Sequence, residues 1–483
     1  MRRVKELEGL LKDKKSLYLT LILSICYILP LIVANYEYLD DYGRNLHGYG
    51  WQHDGRYLAT FLGKIWSVNS SIFSIFPFST ILSALILGFT GYILSELLEI
   101  EKGKLIRWTP LLILTMPTFL GNLVFKFDCL PMALSLFLIV FPFVFYNSWK
   151  VFFVISIIGV FLSFGLYQSS ATCYFMVGSI FLIREILANA WKLFFYRFFL
   201  MMVSFIIAFL CYILILKLGD LQMSDRTETI FGTLFFDSLV ANKNLFTERL
   251  VTLLYTGNYR YLISFFIITN LIGIVYYFNT SFKKLFIILS VLAILVINVC
   301  LISGVNILLK NTYWDLRTFC GLGFFLLNVS FFQKYLKSKF IDLARISSFV
   351  IIFFSFVLMA QFGRVLKNQT EFQNNIAIEL NTFFKEKDIK KVAFIGTLRI
   401  ASRNEFIYNK FPLFTNLLSS PIGQYSAWTK EALNYNGRLN SIEVIDGSNL
   451  LCQGLIIEEN ELYTITQVDN ETLLIDFNKN NCN

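Results

Sequence analysis

"SLYLTLILSICYILPLIVANYEYLDDYGR" (residues 16–44) opens with a long uncharged apolar run and then presents Asp40, Asp41 and Arg44 in quick succession. A helix that crosses a bilayer takes about 20 mostly apolar residues, and this run supplies them. The stretch reads as a transmembrane helix that opens into a loop dense in ionisable groups. The loop continues to Trp66 and holds His47 and His53, the two histidines of the chain.

The rest of the chain extends that reading. Of its 483 residues 56% are hydrophobic and 16% charged, and the mean hydropathy is +0.61. Soluble domains carry about a quarter charged residues. The 52 phenylalanines suit lipid-facing helix surfaces and aromatic belts. Apolar runs fall near 17–35, 72–97, 108–125, 129–146, 151–167, 170–187, 198–216, 261–278, 285–303, 317–333 and 346–362. The expected fold is an α-helical polytopic membrane protein of about eleven spans. No small-residue cleavage site follows the first run, so it reads as an uncleaved span.

The net charge of +9 sits in short clusters between the runs rather than in a stripe, which argues against a nucleic-acid partner. Arg2, Arg3, Lys5, Lys12, Lys14 and Lys15 precede the first run. Lys102, Lys104 and Arg107, then Arg184, Lys192 and Arg197, then Lys283 and Lys284, then Lys334, Lys337, Lys339 and Arg345 fill loops on the same side. Such loops mark the cytoplasm. The expected organisation is a cytoplasmic segment 1–16, a transmembrane domain 17–362 with outer loops 36–71 and 217–260, and an external domain 363–483. The tail is polar: a helix is expected at about 370–387, with strands at "KKVAFIGT" (390–397), "SIEVID" (441–446) and "ETLLIDF" (471–477). That is enough for a small α/β domain. Cys452 and Cys482 can pair if it faces an oxidising compartment. The other six cysteines lie in or beside apolar runs, and none of the eight shows zinc-ligand spacing.

Three outer segments set acid beside base. In the first loop Asp40 and Asp41 are an acidic pair at the membrane boundary, either a general base with its support or a solvated loop. Arg44 and Arg56 add bidentate phosphate-binding capacity. Asp54 is the expected N-cap of an amphipathic helix bearing Tyr57, Leu58, Phe61, Leu62, Ile65 and Trp66. His47 and His53 fit no metal-binding spacing and read as hydrogen-bonding groups. In "LVFKFDCLPMALS" (123–135), Lys126 and Asp128 occupy a short turn, as a functional pair or a local ion pair. In "NILLKNTYWDLRTF" (306–319), Lys310, Asp315 and Arg317 flank Tyr313 and Trp314, as a lipid-phosphate site or an aromatic belt with snorkelling cations. There is no Gly-rich phosphate loop, no HExxH and no Cys–His cluster. No metal or cofactor is expected, and a donor substrate would have to arrive through the membrane.

An outer loop with an acidic pair soon after the first span resembles the multispan GT-C glycosyltransferases. Within them "NYEYLDDYGRNLHGYGWQHDGRYLA" (35–59), "FKFDCLPMALSL" (125–136) and the tail run "KKVAFIGT…YNKFPLFTNLL" resemble the phage-type serotype-converting O-antigen glucosyltransferases, the GtrII-like family. The resemblance implies an inverting glucosyltransferase at the periplasmic face of the bacterial inner membrane. Its donor would be polyprenyl-phosphate glucose and its acceptor a hydroxyl of lipid-linked O-antigen. A donor-making glucosyltransferase and a donor flippase would be functional partners. It assigns Asp40 or Asp41 as base and Asp128 as a positioning acid, with Lys126, Arg317, Arg44 and Arg56 on the leaving phosphate. Two rivals remain: a lipid-linked sugar transporter or flippase, and a GT-C transferase or polymerase with another sugar. Transport would place charges mid-span, whereas here they gather at one face. The basic residues of loop 217–260 (Arg226, Lys243, Arg249, Arg260) keep the polymerase open.

Overall fold

The computed structural model describes residues 13–221, 230, 235–254, 258–277, 283–310, 314–415, 417–424, 426–437 and 442–479. Arg2, Arg3, Lys5, Lys12, Arg226, Tyr313 and Cys482 lie outside the described residues. Helix α1 spans Lys14–Ala34; the Asp13 side chain accepts from the Ser16 amide at 3.2 Å, and Asn35 ends the helix in the left-handed region. Then come α2 (Asp40–His47), α3 (Tyr57–Ser67), α4 (Phe78–Leu98), α5 (Cys129–Val140) and α6 (Trp149–Leu166). They are followed by α7 (Cys173–Leu187), α8 (Trp191–Leu218), α9 (Phe235–Leu254), α10 (Tyr259–Tyr277), α11 (Lys283–Cys300), α12 (Leu322–Ser330) and α13 (Ser338–Glu386).

Seven helical stretches among the described residues are long and apolar enough to cross a membrane. The remaining apolar runs are shorter or broken. The run expected as one span at 108–125 is interrupted: Met116 is extended ahead of Pro117, whose ring disfavours helical backbone in the residue before it. Residues 109–130 are buried throughout, and the Tyr27 hydroxyl donates to the Thr115 carbonyl at 3.3 Å. Irregular backbone at this depth is tolerated where protein surrounds it. By contrast α8 exposes Phe195, Phe199, Ile206, Leu210 and Leu214 along one face, each 48% or more accessible. Such a face suits lipid.

Charge separates the two ends of the bundle. At one end Arg107 bonds Asp13 at 2.9 Å and also Glu96, joining the start of α1 to the end of α4. Glu99 there lies in the field of Lys102, Lys334 and Arg184. These basic loops share a side, as their spacing in the sequence predicts. The acid–base segments around Asp40, Asp128 and Arg317 gather at the opposite end.

Helix α13 leaves the bundle without a break at Gly363. The helix expected at 370–387 is its last third. Gly363 is what allows its approach to α1: a Cβ there would lie 2.6 Å from both the carbonyl oxygen and the Cβ of Pro30. After α13 come β1 (Lys391–Ile395), α14 (Ser402–Lys410), α15 (Ser426–Gly437), β2 (Glu443–Asp446), β3 (Leu455–Glu459), β4 (Thr464–Gln467) and β5 (Thr472–Asp476). The sheet order is β2-β1-β5-β4-β3, with β1 parallel to both neighbours and β3–β4–β5 antiparallel. Its core joins Leu380, Phe384, Val392, Phe394, Leu433 and Leu473 with Tyr42, which comes from α2.

Replacing Gly363 by valine should overpack the α1–α13 contact and cost about 1–3 kcal/mol. A lower unfolding midpoint in detergent is the expected readout, with the exposed Arg364→Ala as a neutral control.

Candidate active site

Helix α2 is short, opens with two acids that suit its positive end, and stops at Gly48, whose φ is +63°. At 100° per residue its faces separate cleanly. Asp41 points into the bundle, Tyr42 into the C-terminal domain, and Asp40, Gly43, Arg44 and His47 share the remaining arc.

Asp41 is fully buried. Its Oδ2 accepts from the backbone amides of Lys126 at 3.1 Å and Tyr38 at 3.3 Å, while Oδ1 is enclosed without a hydrogen-bond partner. Burial pushes its carboxyl well above the ordinary carboxylate range, and Glu37 adds to the rise; Arg44 opposes it. The two amide donors on Oδ2 pin the turn at Lys126 to α2. Asp40 differs. It is half-buried, and among the described residues its carboxylate takes no hydrogen bond or ion pair. The acidic pair thus divides into an enclosed acid and an open one.

Asp128 sits 3% exposed at the head of α5 and binds two guanidiniums. Arg44 Nη1 donates to its Oδ2 at 2.8 Å and Arg56 Nη1 to its Oδ1 at 3.0 Å. Arg44 lies over the Trp51 ring at 4.7 Å, and its Nε is buried without a partner. Arg56 donates from Nε to Gln168 at 3.3 Å and lies over Tyr167 at 4.9 Å. Three of the candidate residues thus form one unit, with two cations held on one anion.

Lys126 is placed elsewhere. Its ammonium pairs with Glu37 and donates to Asn35 Oδ1 at 2.7 Å. Glu37 also accepts from Asn45 at 3.0 Å and from the Tyr435 hydroxyl at 3.4 Å. Lys126 and Asp128, neighbours in the sequence, therefore belong to separate ion pairs. Arg317 pairs with Asp315 at 3.2 Å and lies over Phe125 at 4.9 Å, while its carbonyl accepts from the Tyr167 hydroxyl at 2.9 Å. Tyr167 thus bridges Arg56 and Arg317. Burial raises the Asp315 carboxyl, with Arg317 and Arg249 opposing the rise.

Asp54 does not cap α3. It ends a turn at Gln52–Asp54, and Gly55, at φ +70°, redirects the chain so that Arg56 precedes the helix. Glu37, Gln168, Tyr49 and Tyr435 were not singled out in the sequence; only Glu37, three residues ahead of Asp40, stands near a motif that could have drawn attention. Among the described residues no group of three or more His, Cys, Asp and Glu side chains is arranged to hold a metal ion.

A buried acid with a raised pKa stabilises the fold below its unfolded pKa of about 4, and that contribution is lost as the pH rises toward the folded value. Asp41→Asn lacks the titration. Its unfolding midpoint should gain on the wild type as the pH climbs above about 4, in a thermal melt series.

The sequence profile of the family described as Glucosyl transferase GtrII matches residues 29–328, a span that contains α2, Arg56, Asp128 and Arg317. An uncharacterised 55.3 kDa protein in the gtrB 5' region of Salmonella phage P22 is 26% identical over 490 residues, covering 96% of this chain and 99% of that one. No solved structure matches. Because the profile covers more than half of the sequence and includes the whole Arg44–Asp128–Arg56 unit, the chain belongs to the GtrII glucosyl transferase family.

Proposed function

We propose that the protein moves glucose from polyprenyl-phosphate glucose to a hydroxyl of lipid-linked O-antigen, at the periplasmic face of the bacterial inner membrane. The observation that carries this reading is the open carboxylate of Asp40 one helical turn from Arg44, which Asp128 clamps beside Arg56. Side chains at i and i+4 stand about 5–6 Å apart at Cβ. Asp40 thereby stands beside the paired arginines, of which the more exposed, Arg56, is the cation left to face a leaving phosphate.

Asp40 accepts the proton of the acceptor hydroxyl. The acceptor oxygen bonds to C1 of glucose as the bond from C1 to the phosphate oxygen breaks, and the electron pair leaves on the polyprenyl phosphate. Arg56, whose side chain is 15% exposed against 5% for Arg44, meets that phosphate, and Arg44 adds its field from below. Phosphate leaves readily, so no general acid is needed. A single displacement inverts C1, and a β-linked donor gives an α-linked branch. Asp41 supports the loop rather than the proton transfer, Asp128 orders the arginines, and Lys126 is neutralised by Glu37. Arg317, beyond Tyr167, extends the basic track toward the lipid-linked substrate.

Several features support the location. The basic loops share the end of the bundle away from Asp40, as the positive-inside rule asks of a cytoplasmic face. Cys452 is disulfide-bonded, which suits an oxidising compartment for the C-terminal domain. Membership in the GtrII glucosyl transferase family supports glucose as the group moved. The donor would be made by a separate glucosyltransferase in the cytoplasm and turned over by a flippase.

The test is reconstitution in detergent with polyprenyl-phosphate glucose and lipid-linked O-antigen, read by mass spectrometry as one added hexose. Asp40→Asn should lower the rate by about 10²–10⁴-fold. Asp41→Asn, enclosed and bonded to backbone amides away from the open arc, should stay within about tenfold of wild type. Arg56→Ala should raise the donor KM by about 10–100-fold, the value of a charge-assisted hydrogen bond. No hexose gain by the wild type would overturn the reading.

A further inference from the structure

The transferase reading leaves the C-terminal domain without a task, yet that domain grips the helix that carries the base. Tyr42, 2% exposed, is packed in its core beside Leu433 and meets the Tyr435 ring edge-on at 5.4 Å. The Tyr36 hydroxyl donates to the Ser419 carbonyl at 2.9 Å, and Tyr435 reaches Glu37. Helix α15 lies across α2 and lowers Glu431 onto its open arc. A Cβ on Gly43 would stand 2.7 Å from both carboxylate oxygens of Glu431 and 2.7 Å from the Tyr49 hydroxyl. Gly43 is three residues after Asp40, so Glu431 overlooks the base from the opposite wall.

Glu431 is half-buried, and among the described residues it takes no hydrogen bond or ion pair. Asp40 is in the same condition. A structural carboxylate at a domain contact ordinarily has a donor. Here burial raises the Glu431 carboxyl and Asp40 raises it further, while His47 opposes both. The same arc holds an unmet donor, Arg44 Nε, in a side chain only 4% exposed. Unmet acceptors on two walls match a polyol, whose hydroxyls donate as well as accept.

We infer that the C-terminal domain forms one wall of the acceptor subsite, and that Glu431 positions the acceptor sugar by accepting hydrogen bonds from hydroxyls beside the one Asp40 activates. This rests on the transferase reading, and it adds the class of ligand that meets α15: a pyranose with neighbouring free hydroxyls. Glu431 is a positioning residue; it does not take the reacting proton. Gly43 is required at this point because any side chain would push the Glu431 carboxylate and the Tyr49 hydroxyl off the helix.

Two measurements on the full-length protein in detergent test this. In steady-state assays with lipid-linked O-antigen varied, Glu431→Gln should raise the acceptor KM about tenfold or more. Donor KM and unfolding midpoint should stay at wild-type values, and Gly43→Ala should reproduce the acceptor effect. Lys430→Ala, exposed on the same helix, is the control. Binding of lipid-linked O-antigen without donor gives a readout that needs no turnover, and Glu431→Gln should weaken it by the same factor. If the wild type transfers nothing but binds the glycan in a Glu431-dependent way, the transferase reading fails and the subsite stands. Glycan binding indifferent to Glu431, or a donor KM or midpoint that shifts alongside, overturns the subsite.

Discussion

One buried carboxylate organises the acid–base end of this bundle. Asp128 takes an arginine on each oxygen, from α2 and from the residue that precedes α3. Neither guanidinium would remain in so enclosed a place alone, because removing one partner of a buried ion pair costs about 3–5 kcal/mol. With Asp128 present, two cations stand side by side where mutual repulsion would otherwise part them. The irregular segment that delivers Asp128 is equally constrained. It runs buried from Thr109 to Leu130, and the break at Met116–Pro117 is enclosed by other helices.

Helix α2 translates that arrangement into chemistry. Asp41 and Arg44 anchor it to the bundle, Tyr42 anchors it to the C-terminal domain, and Asp40 lies between these anchors. A helix held on two sides keeps the Asp40 backbone in register with the arginines, as the proposed role of Asp40 requires. Helix α13, unbroken for 49 residues, fixes the second wall relative to the first. The domain that carries Glu431 is thereby tied to the membrane bundle by one rigid rod as well as by Tyr42.

Much of this was legible in the sequence where the cause is local. The uncharged run before Glu37, the acidic pair that follows it and the strand-like runs of the tail each correspond to an element or a site segment. Three of the five strands were expected; the β3–β4 hairpin was not. Pairings were not legible, because they join residues far apart: Arg44 and Asp128 are 84 positions distant, and Lys126 and Glu37 are 89. Proximity in the sequence suggested Lys126 with Asp128, and the fold separates them. Asp54 looked like a helix cap until Gly55 turned the chain. Glu431 had no motif at all, and only the packing of α15 on α2 reveals it.

In the proposed reaction Asp40, and not Asp41 or Asp128, removes the acceptor proton. Azide tests it directly, because that anion needs no deprotonation before it attacks C1. With polyprenyl-phosphate glucose and azide, Asp40→Ala should regain turnover and yield glucosyl azide of inverted configuration. Asp41→Ala and Asp128→Ala should not be rescued. Failure of azide to rescue Asp40→Ala while the variant still binds donor, or rescue of Asp41→Ala instead, would contradict the account.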